Sequence, residues 1–163
     1  MSGMHGACPT GGERGLTIGE VELVRAVFGS AIYTQKVLIK RRKWFVFQPR
    51  KVVMAPCGHV HFHPDGPDYA PDFANAPLAA QGLFIHEMVH VWQAQVKGKF
   101  YLPLLRHPFC RYDYRLRPGR PFSGYGIEQQ AEIVRHVFLA RCGAPADGAP
   151  PADQLEALLP FTR

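Results

Sequence analysis

Nowhere do apolar residues run long enough to cross a bilayer. They make up 47% of the 163 residues but are interrupted throughout, whereas a spanning helix needs about 18 or more in succession. No membrane span is expected. The N-terminal "MSGMHGACPTGGERG" lacks the apolar stretch of a secretory signal. Residues 1–14 read instead as a disordered tail, and the expected location is cytoplasmic, with leaderless export left open. Cysteine is sparse. Cys8, Cys57, Cys110 and Cys142 form no C-x-x-C pair, so free thiols are expected rather than a disulfide framework. No internal repeat is present, which excludes a solenoid array. Acidic residues number 13 against 19 Lys and Arg, for a net charge of +6. The surplus is local: "KRRK" at 40–43, "RK" at 50–51, and Arg106, Arg111, Arg115, Arg117 and Arg120. It reads as solvated surface or as a rim for an anionic partner. No nucleic-acid-binding motif accompanies it, and no specific nucleic-acid partner is expected.

What is present is one domain's worth of alternating elements. "LTIGEVELVRAVFG" predicts a first helix, with Thr17 and Glu20 spaced as a capping box and Gly29 as the stop. Val37 to Ile39 and Trp44 to Phe47 are β-rich pieces around a basic turn, and "KVVMAP" with "HVHFHP" reads as a strand pair. "DGPDYAPDFANAP" is turn-rich, with Asp68 and Asp72 as candidate cation ligands or, as such acids usually are, loop caps. From Leu78 to about Val96 apolar residues recur at helical spacing, ending at Gly98. "GYGIEQQAEIVRHVFLARCG" is a second strong helix ending at Gly143. Residues 144–163 read as a Pro/Ala linker with a short C-terminal segment. The order suggests an α+β domain over 15–143 with a small antiparallel sheet.

The chemistry begins at "GLFIHEMVHVWQ". His86 and His90 are four apart, so on a helix they share a face and can direct two imidazoles at one Zn²⁺. Glu87 points beside that face, where it can take a proton from a water without binding the metal. A catalytic zinc site needs a third protein ligand. "GIEQQAEIV" offers Glu128 and Glu132, again on one helix face. One can bind zinc while the other accepts the Nδ1–H of a ligand histidine and fixes its orientation. The residues alone leave open which does which.

H-E-x-x-H followed on a later helix by E-x-x-A-E resembles the gluzincin pattern of zinc metallopeptidases, and implies a zincin-like fold. The resemblance implies His86, His90 and Glu128 as zinc ligands, Glu87 as the base and Glu132 as the support of a histidine. Glu at 132 departs from the commoner Asp. The 37 residues between His90 and Glu128 exceed the spacing of thermolysin-like enzymes and imply a structured excursion. Across most of its length, through "LTIGEVELVRAVFG", "FIHEMVHVWQAQ", "RHPFCRYDYRLRPGRPF" and "YGIEQQAEIVRH", the chain resembles small bacterial proteins labelled Vgr-related, or type VI secretion- and Rhs-associated. That implies a link to secretion or toxin delivery.

A peptidase also needs a donor for the developing oxyanion. The candidates are Tyr112, Tyr114, Tyr125 and His107, with Tyr114 and Tyr125 preferred. Trp92 is expected in the core, and Gln93 is a candidate for supporting a ligand. His59, His61 and His63 would share a strand face and are read as surface or cleft-lining residues. The expected function is zinc-dependent hydrolysis of a peptide or peptide-containing polymer laid along 59–63. The alternative is an accessory or adaptor protein of a secretion or toxin system, with a structural or vestigial zinc.

Overall fold

The computed structural model describes residues 7–105 and 110–161, and the architecture is α+β. Strand β1 (Glu13–Gly15) is followed by helix α1 (Ile18–Phe28), strand β2 (Leu38–Lys40) and strand β3 (Val60–His61). Helices α2 (Leu78–Lys97), α3 (Tyr101–Leu105), α4 (Ile127–Arg141) and α5 (Ala152–Glu156) complete the order. Among the described residues no helix is long and apolar enough to cross a membrane.

The capping box at Thr17 forms: its Oγ1 accepts the Glu20 N–H at 3.1 Å, and the Thr17 N–H reaches the Glu20 carboxylate at 2.9 Å. Glu20 does more than cap. It lies fully buried, bonded by both oxygens to Arg14 at 2.8 and 2.9 Å, and it also accepts the Phe73 N–H. One carboxylate thereby ties β1, α1 and the turn before α2 together. Asp72 caps that turn, accepting from Ala74 N–H and Thr17 Oγ1–H. The core runs from Val24 and Phe28 of α1 through Phe62, Phe73 and Phe84 to Ile133, Val134 and Val137 of α4. The Phe73 and Phe84 rings stack 5.0 Å apart. Helices α2 and α4 pack against each other, and Gly82 leaves room for α4 side chains: a Cβ there would meet Leu139 at 3.3 Å. Gly98 ends α2 with φ at 95°, a conformation that side chains resist.

Four expectations are corrected. The sheet is mixed rather than antiparallel, because β2 pairs antiparallel with β1 but parallel with β3. Trp44 to Phe47 form an exposed turn, not a strand. "KVVMAP" contributes one bridge, Met54 to His61, instead of a full strand. The tail ends before residue 14, since Cys8 is buried and Glu13–Gly15 form β1; residues 1–6 lie outside the described residues. The C-terminal segment belongs to the domain, with Leu155 in the core and Phe161 against Phe28 and Trp92. None of the four cysteines is in a disulfide.

Candidate metal centre

Helix α2 presents His86 and His90 one turn apart on its α4-facing side, and α4 answers with Glu128 in its first turn. His86 Nε2 and His90 Nε2 lie 3.2 and 3.0 Å from the same Glu128 oxygen, Oε2. All three residues are buried. Two ligands held about 2.0–2.1 Å from one tetrahedral ion sit roughly 3.3 Å apart, close to these spacings.

The other face of each imidazole shows why the nitrogens point inward. His86 Nδ1 lies 2.7 Å from Glu132 Oε1, and His90 Nδ1 lies 2.9 Å from Gln93 Oε1. The Gln93 amide cannot be flipped without loss. Its Nε2 donates to the Ile127 carbonyl at 3.1 Å and to Gln130 Oε1 at 3.0 Å, while Gln130 Nε2 donates to the Tyr125 carbonyl at 2.8 Å. Backbone carbonyls at the start of α4 therefore set the amide, and the amide sets the imidazole as an Nδ1–H tautomer. Two Nε2 atoms and a carboxylate oxygen then converge, an arrangement that could hold a cation between them. A proton on His86 can serve as that cation. Burial alone would lower the His86 pKa, but the hydrogen bonds it donates to Glu128 and Glu132 outweigh it and raise the value to about 9. Burial would raise the pKa of both glutamates. The histidines win there too and hold Glu128 and Glu132 well below the usual carboxylate range.

A cleft of about 330 Å³ opens onto this cluster, lined by His86, Glu87, Glu132, Arg135 and Tyr112 on one side and Lys51–Val53 on the other. Glu87 is buried at its floor.

No family model matches the chain. It is 39% identical over 135 residues to the type VI secretion system spike protein VgrG2b of Pseudomonas aeruginosa, a match that covers 78% of this chain and 13% of that protein. Among solved structures it is similar to the effector domain of Pseudomonas aeruginosa VgrG2b. The TM-score is 0.73 at 36% identity, over 95% of this chain and 88% of that one. The chain belongs to the VgrG2b effector-domain family.

In this VgrG2b-type domain the tyrosines fall elsewhere than the spacing suggested. The Tyr114 hydroxyl is 2.7 Å from His136 Nδ1. Its pKa is pushed up by burial and by nearby Glu132. Tyr125 is buried, and its hydroxyl accepts the Arg117 N–H at 3.2 Å. Neither lines the cleft. Tyr112 does, with its ring near-parallel to that of His86 at 6.1 Å. His107 lies outside the described residues.

His136 is the partner that sequence reasoning missed. Its Nε2 is 3.4 Å from Glu132 Oε2, so Tyr114, His136, Glu132 and His86 form one line of contacts. Its i,i+4 spacing from Glu132 on α4 was the available signal. The histidines of "HVHFHP" are corrected as well. His61 and His63 are buried rather than surface residues, and burial lowers the His61 pKa to about 4. His59 Nδ1 accepts the Leu38 N–H and His63 Nδ1 the Asp65 N–H, and none of the three lines the cleft.

Proposed function

We propose that this domain is a zinc-dependent hydrolase of zincin type, a small metallopeptidase carried by a type VI secretion protein. The observation that carries the reading is the convergence of His86 Nε2, His90 Nε2 and one Glu128 oxygen, each imidazole turned inward by an acceptor on its far side. His86, His90 and Glu128 would hold the zinc, which when bound polarises a substrate carbonyl and acidifies water. Glu87, at the floor of the cleft, takes a proton from the attacking water as its oxygen bonds to the carbonyl carbon. It then delivers that proton to the departing amine nitrogen as the C–N bond breaks. Glu132 holds His86 in place through Nδ1, and Gln93 does the same for His90.

The substrate is a peptide or peptide-containing polymer lying along Lys51–Val53. Met54 pairs both its N–H and its C=O with His61. In an extended strand the neighbouring residue's polar groups face the opposite way, so Val53 offers its own to the cleft side. Tyr112 is the side chain closest to hand for the developing oxyanion.

A second reading, an accessory or adaptor domain with a structural zinc, is supported by the similarity to a secretion spike protein. The two part at Glu87. Glu87→Gln should keep zinc and lose hydrolysis of a peptide substrate by 10²-fold or more. Full activity in that variant would defeat the enzyme reading. Metal analysis of wild type beside His86→Ala, Glu128→Ala and Glu132→Ala tests the ligands. Zinc should be absent from the first two, and zinc lost only with Glu132 would exchange the roles of the glutamates.

A further inference from the structure

Just before Lys51–Val53 the chain makes a turn that has no role in the metal centre. Trp44, Phe45, Val46 and Phe47 are consecutive, apolar and exposed, with Val46 at 76% and Phe47 at 85% of full exposure. Four such side chains in a row are costly to leave in water and point to a surface that covers them. They are not the loose end of a floppy loop. Gln48 is buried beneath them, donating to the Val52 and His61 carbonyls at 2.8 and 3.2 Å and accepting the Trp44 N–H at 2.8 Å. The turn is thereby pinned to β3.

Two further observations say what covers it. The first is charge. No acidic residue occurs between Glu22 and Asp65, a stretch that holds eight Lys and Arg. Arg41 is used internally, on the Cys8 and Pro64 carbonyls, and Arg42 pairs with Glu13. Among the described residues no carboxylate pairs with Lys43, Arg50 or Lys51, which flank the aromatic turn on both sides. The second is the backbone at the tip. The Phe45 carbonyl accepts the Gln48 N–H, the Val46 carbonyl accepts Lys43 Nζ, and the Trp44 N–H is held by Gln48. These bonds satisfy part of the tip's backbone and so lower the cost of its entry into a medium without water. The tip's polarity is graded, with the apolar apex at Val46 and Phe47, Trp44 and Phe45 half covered behind it, and cations at its base. A bilayer leaflet has the same grading, with Trp and Lys favoured at headgroup depth.

We infer that the 43–51 turn docks this domain on an anionic phospholipid surface, inserting Val46 and Phe47 while Lys43, Arg50 and Lys51 meet the headgroups. Because Lys51–Val53 also border the cleft, docking would hold the metal centre next to the membrane surface. The inference concerns binding and does not depend on hydrolysis or metal.

The test uses the full chain and sedimentation with vesicles. Binding to phosphatidylglycerol/phosphatidylethanolamine vesicles should exceed binding to phosphatidylcholine at least tenfold, and should weaken as salt rises, each basic residue near such a surface contributing roughly fivefold. With Trp92→Phe leaving Trp44 as the reporter, emission should shift to shorter wavelength on the anionic vesicles. Val46→Asp with Phe47→Asp, both at exposed positions, should reduce binding more than tenfold with an unchanged circular dichroism spectrum. Lys43→Glu with Lys51→Glu should do the same. No sedimentation with anionic vesicles at low salt overturns the inference. So does the Asp pair binding as wild type, which would mean adsorption by charge alone. Absence of lipid binding together with tip-dependent self-association would assign the turn to a second copy of the chain instead.

Discussion

Two glutamates in this molecule are almost equally hidden and have opposite fates. Glu20 is 0% exposed and Glu128 1%. Glu20 faces Arg14, a guanidinium that keeps its charge at every accessible pH. Both its oxygens are shared with backbone N–H groups of Thr17 and Phe73. It has a permanent partner and a closed set of contacts, so it holds three segments together and does nothing else. Glu128 faces two imidazoles, whose charge is conditional, and both reach for the same oxygen. They offset its charge when they carry a proton, as the raised His86 pKa implies. Burial therefore does not separate a structural carboxylate from a chemical one; the constancy of the partner's charge does.

The largest effect should come from breaking the permanent pair. Glu20→Ala strands Arg14 in the interior and should cost about 3–5 kcal/mol of folding stability, measured by chemical denaturation. The loss should be the same with and without zinc. A loss that zinc restores would dissolve the distinction between the two sites.

The conditional pair should instead make the metal-free protein sensitive to pH. The folded His86 pKa is raised from 6.5 to about 9, so its contribution is complete below about 6.5 and is lost as pH climbs through 9. Glu128 and Glu132 are depressed from 4.5, so theirs is present above about 4.5 and lost as pH falls. Metal-free stability should therefore be greatest between about 4.5 and 6.5, as thermal melts across pH would show. By the same reasoning zinc binding at pH 7 displaces a proton from His86. Calorimetry in buffers of different ionisation enthalpy should count close to one.

Smaller effects probe how far the support of His86 extends. His136→Ala removes a partner of Glu132 and should weaken zinc affinity by roughly 10-fold, the lower end of the range for such supports. Tyr114→Phe, one contact further out, should weaken it only a few-fold. Equal losses in a competitive chelator titration would mean that the two act as a unit.

The helices were legible because each carries its own signals within a few residues. Thr17 and Glu20 cap α1, apolar spacing runs through α2, and Gly98 and Gly143 mark stops. The pairing of "HEMVH" with "EQQAE" was legible for the same reason, since each half is a four-residue spacing on one helix. The sheet was not. Its strands are two or three residues long, too short for alternation to show, and the parallel pairing of β3 with β2 forms only after residues 41–59 have looped back between them. Trp44 to Phe47 have β-rich composition but no core on either side of them. Tyr114 and Tyr125, expected as oxyanion donors, do not line the cleft beside Glu87, because closeness in sequence to Glu128 says nothing of where a loop turns its side chains. The Gln93–Gln130 link spans 37 residues and joins two neutral amides, which leave no pattern to read.

The Gln93 amide carries a consequence for timing. Its orientation is dictated by α4, through the Ile127 carbonyl and Gln130, so His90 is not aimed until the two helices have docked. Before that moment the chain holds only an H-x-x-x-H pair with no third donor. If zinc fills the proposed site, its three ligands stand together only once the helices have docked, so the complete site is a property of the folded domain and not of the H-x-x-x-H segment alone.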